Sequence, residues 1–183
     1  MAMLTVASVS SRCKTLSNLL LDNFALDLQK AFAFCKHLTA RKVEVEGKIV
    51  WNRISSELCF SYDDKGHFIL DSMFMINCAK SLDAKYLLAV LNSNLSKHWI
   101  KNNAATLGEG VYGAKIYIEK LPIPKITPQN QNLADSVVEL VEQILTLKER
   151  NSTTYTSYLE REIDNLVFKL YGLTKEQISL LTQ

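Results

Sequence analysis

The chain of 183 residues is long enough for one ordinary domain with an appendage, and 48% apolar and 22% charged residues are typical of a folded globular protein. A formal net charge of only +2 excludes a protein that binds nucleic acid through bulk basicity. The sequence has no apolar run of the roughly 20 residues that span a bilayer and does not begin like a signal peptide, so we expect a cytoplasmic protein.

The first third of the chain predicts a helix followed by a hairpin. Apolar residues recur at helical spacing from Leu16 to Cys35, which predicts an amphipathic helix. Val43 and Val45 alternate with glutamates, and Gly47 offers a turn into a strand at residues 49–51. This pattern predicts the first pair of strands.

A second hairpin is predicted around the turn sequence Asp-Asp-Lys-Gly at residues 63–66. Every second residue is apolar from 58 to 62, and the apolar positions resume at 68 and 70 after the turn. Residues 71–76 then predict a further strand. The sheet should therefore be mainly antiparallel.

The stretch from Tyr86 to Ile126 predicts a helix, a loop, a strand and an extended exit. Three glycines after Lys101, at positions 108, 110 and 113, favour a long loop. Ile116 and Ile118 are two residues apart, which favours a short strand, and Pro122 and Pro124 keep the chain extended until about Thr127. The helix before the loop should bury one stripe, formed by Leu87, Val90, Leu91, Leu95, His98 and Trp99.

After Thr127 and Pro128, which suit the start of a helix, the sequence predicts two helices with coiled-coil spacing. Gly172 is expected to end the second helix, and Thr174 with Gln177 predicts a capping box on a short third one. The apolar seam of the first helix is Leu133, Val137, Leu140, Ile144 and Leu147, and that of the second is Tyr155, Leu159, Ile163, Leu166 and Leu170. The two seams can pack against each other within the chain as an antiparallel hairpin, which is the simpler arrangement, or between two chains as an oligomer contact.

These elements together predict an α+β fold, with a mixed, mainly antiparallel sheet and packed helices followed by a C-terminal helical hairpin. We place an α/β domain at residues 1–126 and a helical hairpin or spacer at residues 127–183. Residues 85–125 contain six lysines against two glutamates, whereas residues 131–183 contain five basic against eight acidic residues. The central stretch is therefore the electropositive part of the chain.

No catalytic constellation is recognisable in the sequence. It has no glycine-rich phosphate loop, no H-E-x-x-H and no G-x-S-x-G. Asp63, Asp64 and Lys65 have the residue types of a metal-dependent nuclease but belong to the predicted hairpin turn. The four scattered cysteines, which lack metal-ligand spacing, are predicted to be buried free thiols. We expect the chain to be catalytically inert by itself.

Four segments, in order, resemble one family. LLAVLNSNL at residues 87–95 and YIEKLPIPKI at residues 117–126 are similar to the TaqI-like C-terminal specificity domain. The resemblance extends upstream to WNRISSELCFSYDDKGHFILDSMFMI at residues 51–76 and downstream to EIDNLVFKLYGLTKEQI at residues 162–178. That domain is the target recognition domain of type II restriction-modification enzymes that fuse cleavage and methylation in one polypeptide.

The resemblance implies recognition of double-stranded DNA, which is positioned for methyltransferase and nuclease domains of the same longer polypeptide. S-adenosylmethionine and Mg²⁺ would belong to those domains, a DNA adenine methyltransferase and its nuclease, and no cofactor is expected in this chain. Lysines can contact phosphates, and Asn and Arg side chains can address base edges. Our candidate DNA-binding residues are Lys97, Lys101, Asn102, Asn103, Lys115 and Tyr117, with Arg41, Lys42 and Arg53 as a second group.

Two other functions remain open. A fragment of a type I-like specificity subunit, with the helical tail as a spacer, would predict a second copy of the α/β body, which the sequence lacks. A module that binds only proteins would use the helical hairpin as its working surface. DNA binding that weakens with salt would separate the module from both DNA-binding alternatives.

Overall fold

The computed structural model describes residues 47–55, 58–67, 69, 72–77, 83–104 and 115–181. Over these ranges the chain forms one three-stranded antiparallel sheet and six helices, which confirms the predicted α+β fold. Several predicted features lie outside the described residues: the helix at 16–35, the strand at 43–45, positions 68 and 70 of the second hairpin, the glycines of the loop, and Cys13, Cys35 and Cys78.

The sheet has β1 (Lys48–Asn52) at its centre, with β2 (Ser61–Asp63) and β3 (Met73–Asn77) antiparallel on either side. Residues 48–51 are all buried, which suits a strand with a neighbour on each edge. Ile49 lies opposite Tyr62 on one side and Ile76 on the other. The pairing of β2 with β1 was not predicted, whereas β3 matches the strand predicted at residues 71–76.

The carboxylate of Asp63 forms an ion pair and several hydrogen bonds at the edge of the sheet. Its Oδ2 lies 2.5 Å from Lys48 Nζ, and its Oδ1 lies 2.9 Å from His67 Nδ1. The backbone N–H groups of Lys65 and His67 also donate to this carboxylate, each at 3.0 Å. Burial alone would raise the pKa of Asp63, but the hydrogen bonds from Lys48, His67 and Lys65 hold it well below its ordinary value. Asp63 is therefore ionised and structural.

The helix predicted from Tyr86 onward is two helices, α1 (Ala84–Asn92) and α2 (Asn94–Asn103), so the prediction of a single helix is wrong. Ser93 separates them with an extended backbone, φ −62° and ψ 153°. Its Oγ donates to the carbonyl of Val90 at 2.7 Å and accepts from the N–H of Ser96 at 3.3 Å. The serine side chain thus satisfies groups at the end of α1 and at the start of α2, which stabilises the break.

The strand predicted at Ile116 and Ile118 is also wrong, because Lys115–Ile118 forms a short helix, α3. Ile118 is buried, whereas the side chain of Ile116 is 57% exposed, so the two do not share a face as they would in a strand. Residues 121–127, called the proline segment below, belong to no helix or strand, so no helix begins before Thr127, as the prolines predict. Two tyrosines hold this segment: Tyr86 Oη donates to the carbonyl of Pro124 at 3.0 Å, and Tyr171 Oη donates to the carbonyl of Pro122 at 2.6 Å.

The C-terminal helices are α4 (Gln131–Arg150), α5 (Ser157–Leu170) and α6 (Lys175–Leu181), and α4 packs against α5 as the predicted hairpin. The predicted start at Thr127 and Pro128 is three residues early. Asn130 precedes α4, and its Oδ1 accepts from the N–H of Thr127 at 2.7 Å while its Nδ2 donates to the carbonyl of Lys125 at 3.0 Å.

The predicted helix ends are confirmed at Gly172 and Thr174. Gly172 has φ +64°, and the N–H of Leu173 donates to the carbonyl of Phe168 at 3.0 Å, which is a Schellman motif. Thr174 and Gln177 exchange hydrogen bonds between side chain and backbone, which is the predicted capping box. Tyr155, by contrast, precedes α5 and is 68% exposed, so it is not part of the second seam.

One hydrophobic core joins the sheet to the C-terminal helices. Ile49 of β1, Leu91 of α1 and Ile123 of the proline segment share a buried cluster with Val137 of α4 and Val167 of α5. On α4 the buried residues are Ala134, Val137 and Val141, so its buried face is rotated from the predicted seam, because α4 packs on α1 as well as on α5. The division into domains 1–126 and 127–183 stays a prediction.

Candidate nucleic-acid interface

Helix α2 presents a polar face whose residues were predicted to bind DNA. Its buried side is formed by Leu95, Ser96, Trp99 and Ile100. Lys97, Lys101, Asn102 and Asn103 are all exposed. Lys97 and Lys101 are four residues apart, so they lie on the same side of the helix, roughly 6 Å apart along its axis. The helix therefore presents two cations in a row on its solvent side.

Neither lysine forms an ion pair with a carboxylate in the part of the chain that the structure describes. Two other lysines differ in this respect: Lys65 Nζ lies 3.2 Å from Glu149 Oε1, and Lys85 Nζ lies 2.5 Å from Glu142 Oε1. The hydrogen bond to Glu142 raises the pKa of Lys85. Glutamates of the acidic helix α4 thus pair with a lysine that follows β2 and with a lysine of α1, whereas the two lysines of α2 are exposed to solvent.

The two asparagines at the end of α2 fold back onto their own helix. Asn102 Nδ2 donates to the carbonyl of His98 at 2.7 Å, and Asn103 Nδ2 donates to the carbonyl of Trp99 at 2.8 Å. Both asparagines are exposed, so each amide can exchange this local hydrogen bond for one to a base edge. The local bonds hold the amides in place beside Lys101.

His98, which lies between the two lysines in the sequence, is half-buried in the structure. Burial lowers the pKa of its imidazole, and the charge of Lys101 lowers it further. The ring is therefore neutral at pH 7, and the positive charge of this face comes from the lysines. The interpretation of His98 and Trp99 as core residues holds for Trp99, which is buried, and in part for His98.

The structure brings two further candidates to the neighbourhood of α2. Helix α3, which begins at Lys115 and contains the half-buried Tyr117, packs against α2. Lys120 and Lys125 follow it and are exposed. They contribute to the positive charge of the central stretch, although the sequence analysis did not select them individually.

Arg53 directly follows the last residue of β1. Its guanidinium carbon lies 5.1 Å from the centroid of the Phe74 ring. Its backbone N–H donates to the carbonyl of Ser72, the residue before β3, at 2.8 Å. The exposed side chain thus packs on an aromatic face, while the backbone is bonded to the neighbouring strand. Arg41 and Lys42 lie outside the described residues.

A row of rings connects Arg53 to the end of α1. The Trp51 ring centroid lies 5.7 Å from that of Phe74 and 5.4 Å from that of Phe60. Asn92, the last residue of α1, exchanges two hydrogen bonds with the backbone of Phe60, at 3.0 and 2.9 Å. Arg53 and the end of α1 thus contact the same aromatic cluster.

The start of α2 is held by a contact that the sequence does not predict. The N–H of Asn94 donates to Asp164 Oδ1, and its side-chain amide donates to Asp164 Oδ2. These residues are 70 positions apart, so no local pattern could have paired them. Cys59, predicted to be buried, is an exposed free thiol in the cleft beside them.

The described residues contain neither a metal-binding cluster nor a membrane-spanning helix. Among the described residues, no three His, Cys, Asp or Glu side chains come close enough together to hold a metal ion. None of the described helices combines the length and the apolar character needed to cross a membrane.

Comparison with known proteins identifies the family. Residues 20–123, more than half of the chain, match the family model of the TaqI-like C-terminal specificity domain, and the match includes the sheet, α1, α2 and α3. No curated protein matches the chain. The segments at residues 51–76 and 87–95 lie inside this match, the segment at 117–126 lies mostly inside it, and the segment at 162–178 lies outside it. The family has a DNA-specificity role in restriction-modification enzymes. The chain belongs to the family of TaqI-like C-terminal specificity domains.

Proposed function

We propose that this chain recognises a specific sequence in double-stranded DNA as the target recognition domain of a type II restriction-modification enzyme. It would position the duplex for methylation and cleavage by catalytic domains of a longer polypeptide. The observation that carries the proposal is the exposed face of α2, with Lys97 and Lys101 one turn apart, inside the region that matches the family. The methyltransferase, its S-adenosylmethionine and the Mg²⁺ of the nuclease would lie outside this chain.

We assign different tasks to the two kinds of side chain on this surface. Lys97 and Lys101, with Lys115, would contact phosphates, which give affinity without sequence information. Asn102, Asn103 and Arg53 would address base edges in the major groove, where an amide can pair with adenine and a guanidinium with guanine. Tyr117 would pack beside the sugar-phosphate backbone of the DNA. The acidic C-terminal helices would face away from the duplex, because like charges repel.

The test is fluorescence anisotropy of the chain on a duplex of random sequence, repeated across a series of salt concentrations. Replacing both Lys97 and Lys101 by Ala should weaken binding roughly tenfold or more at low salt. It should also reduce the slope of log K against log salt by about two, since each released counterion contributes close to one unit. The same loss is expected on every DNA sequence, because phosphate contacts do not discriminate.

The matched control replaces Lys169 and Lys175, which are exposed on α5 and α6, and so removes the same charge from the helices proposed to face away. We expect little change in the slope for this variant. Equal losses in the two double variants would contradict the assignment of the surface to α2. Absence of salt-dependent binding by the unaltered chain would instead favour a protein-binding module.

The alternative protein-binding function has one observation in its favour. Tyr155 and Tyr158, next to and within α5, are 68% and 55% exposed, and exposed tyrosines are frequent at protein contacts. The contact could be to the catalytic domains or to a second copy of this chain. Sedimentation of the chain at increasing concentration, alone and with duplex DNA, separates self-association from DNA binding.

A further inference from the structure

A two-point contact joins the start of α2 to the middle of α5. The N–H of Asn94 donates to Asp164 Oδ1 with an N-to-O distance of 2.8 Å, and Asn94 Nδ2 donates to Asp164 Oδ2 at 2.7 Å. Asn94 is the first residue of α2, and Asp164 lies in α5, 70 residues later in the chain. One residue of the candidate DNA-binding helix therefore engages both oxygens of a single carboxylate on the C-terminal hairpin.

This contact can set the direction of α2. The first N–H groups of a helix have no partner within the helix, and a carboxylate there also complements the helix dipole. Because the chain breaks at Ser93, the direction of α2 does not follow from that of α1 and depends on tertiary contacts. A helix of only ten residues is marginal by itself, so such contacts decide its position. Lys97 and Lys101 lie one and two turns beyond the anchored residue.

The contact stabilises the charge of a partly buried carboxylate. Burial raises the pKa of the Asp164 carboxyl, and the nearby Glu160 adds to the rise, although the N–H of Asn94 and the charge of Lys97 act in the opposite direction. The hydrogen bonds from Asn94 therefore offset part of the cost of placing a carboxylate at this position.

Asp164 lines a cleft formed by α1, α2, α4, α5 and the segment before β2. Lys97 of α2 and Glu160 and Arg161 of α5 are the charged groups that line the same cleft, and Cys59, before β2, contributes a thiol. The cleft-facing residues of α4 are apolar: Val141, Ile144 and Leu145. Asp164 is thus the point at which the polar end of α2 meets the C-terminal hairpin.

We propose that Asp164 is a positioning residue for DNA recognition, which anchors the first residue of α2 to the C-terminal hairpin and so fixes where Lys97 and Lys101 point. The inference rests on the proposed function, because it assigns the hairpin a part in that function. The helices of the C-terminal hairpin, which would not contact the duplex, would hold α2, which would contact it.

The binding test compares Asp164→Ala with Glu162→Ala, an exposed position on the same helix. Both substitutions remove one negative charge, so a purely electrostatic effect would strengthen DNA binding in both variants. We expect Glu162→Ala to bind as tightly as the unaltered chain or slightly tighter. Asp164→Ala should bind about fivefold more weakly, with a reduced salt slope, because α2 is less well placed. Binding of Asp164→Ala as tight as that of Glu162→Ala would overturn the proposal.

A second measurement does not depend on DNA. Hydrogen exchange is followed by mass spectrometry in peptides that cover residues 84–92 and 94–103 of the same variants. Asp164→Ala should exchange about threefold faster than Glu162→Ala over residues 94–103, with residues 84–92 unchanged. Equal exchange over residues 94–103 would overturn the anchoring role whether or not the chain binds DNA. Failure of the proposed function is read separately, from binding by the unaltered chain and the Lys97 and Lys101 double variant.

Discussion

Arg53 differs from the lysines of α2 in how firmly its charge is held. The guanidinium lies over the Phe74 ring, and this contact favours one orientation of the planar group before any DNA arrives. A lysine on a helix surface keeps its rotamer freedom until it binds. Arg53 is therefore suited to read a base, and Lys97 and Lys101 to attract the backbone.

This difference predicts that Arg53→Lys reduces discrimination rather than affinity. Lysine keeps the charge but lacks the planar pair of donors that matches guanine. We expect binding to random duplex to be nearly unchanged, and the preference for the selected sequence to fall roughly tenfold. The measurement is competition between random duplex and sequences selected from a randomised library by the unaltered chain. Lys169→Arg, a change between the same two residue types on α5, is the control, and an unchanged preference in Arg53→Lys would argue against base contact by Arg53.

Single residues were predictable where local spacing determines exposure. The exposed positions of Lys97 and Lys101 follow from helical periodicity, because the opposite side of the helix is apolar. The anchoring of Asn94 by Asp164 was not predictable, since it joins two helices that are distant in sequence. Cys59 was predicted to be buried and is exposed, because alternation in a short segment does not show which face the core covers.

At the scale of elements, the break at Ser93 was hidden by the hydrophobic pattern. Leu87, Leu91 and Leu95 keep helical spacing across it, because both helices bury the same side against one core. The signal that could have shown it is Asn92-Ser93-Asn94, three residues that favour caps and turns over helix interiors. A similar ambiguity explains α3, where two isoleucines two residues apart were too few to separate a strand from a helical turn.

Ser93→Ala tests the break directly, because the two possible structures predict opposite effects. If Ser93 caps α2, its loss should lower the free energy of unfolding by about 1 kcal/mol, or roughly 3 °C in Tm. If α1 and α2 formed one continuous helix, alanine would stabilise it. Urea and thermal unfolding followed by circular dichroism measure the difference.

The control for this experiment is Ser136→Ala. Ser136 lies within α4, where its Oγ donates only to the carbonyl of Asn132, at 2.9 Å. We expect a change of less than about 0.5 kcal/mol there. A gain of stability in Ser93→Ala, relative to this control, would contradict the two-helix arrangement.

At the scale of the whole molecule, the sequence predicted the fold class but not how the helices surround the sheet. The heptad spacing of α4 and α5 indicated their mutual packing, whereas the packing of α4 on α1 joins segments about 50 residues apart and carries no periodic signal. The shift of the α4 core to Ala134, Val137 and Val141 follows from this second partner. The packing of α4 on α1 therefore determines which residues of α4 are buried, and local sequence patterns could not predict this.

The ion pair between Lys48 and Asp63 predicts an acid-sensitive fold. The pKa of Asp63 is lower in the folded chain than in the unfolded one, so its contribution to stability is complete above about pH 4 and is lost as the pH falls toward the folded value. Asp63→Asn should lower the free energy of unfolding by roughly 2 kcal/mol at pH 7. It should also flatten the dependence of stability on pH below about pH 4.

Urea unfolding at several pH values measures both effects. Asp64→Asn is the matched control, since Asp64 is the next residue and is exposed. We expect the control to retain the acid dependence of the unaltered chain. An acid dependence in Asp63→Asn as steep as in the control would show that other groups govern acid unfolding.

The two tyrosine hydroxyls that hold the proline segment have a consequence for exchanging specificity between enzymes. Tyr171 comes from α5 and Tyr86 from α1, yet both donate to carbonyls within residues 122–124. A chimaera joined between this segment and α5 would pair the segment of one parent with the tyrosine of the other, and a mismatch would leave a buried carbonyl without its donor. Grafts that carry α1, the segment and the C-terminal helices as one cassette keep both tyrosines with their carbonyls, so specificity should transfer best when the junction precedes the sheet.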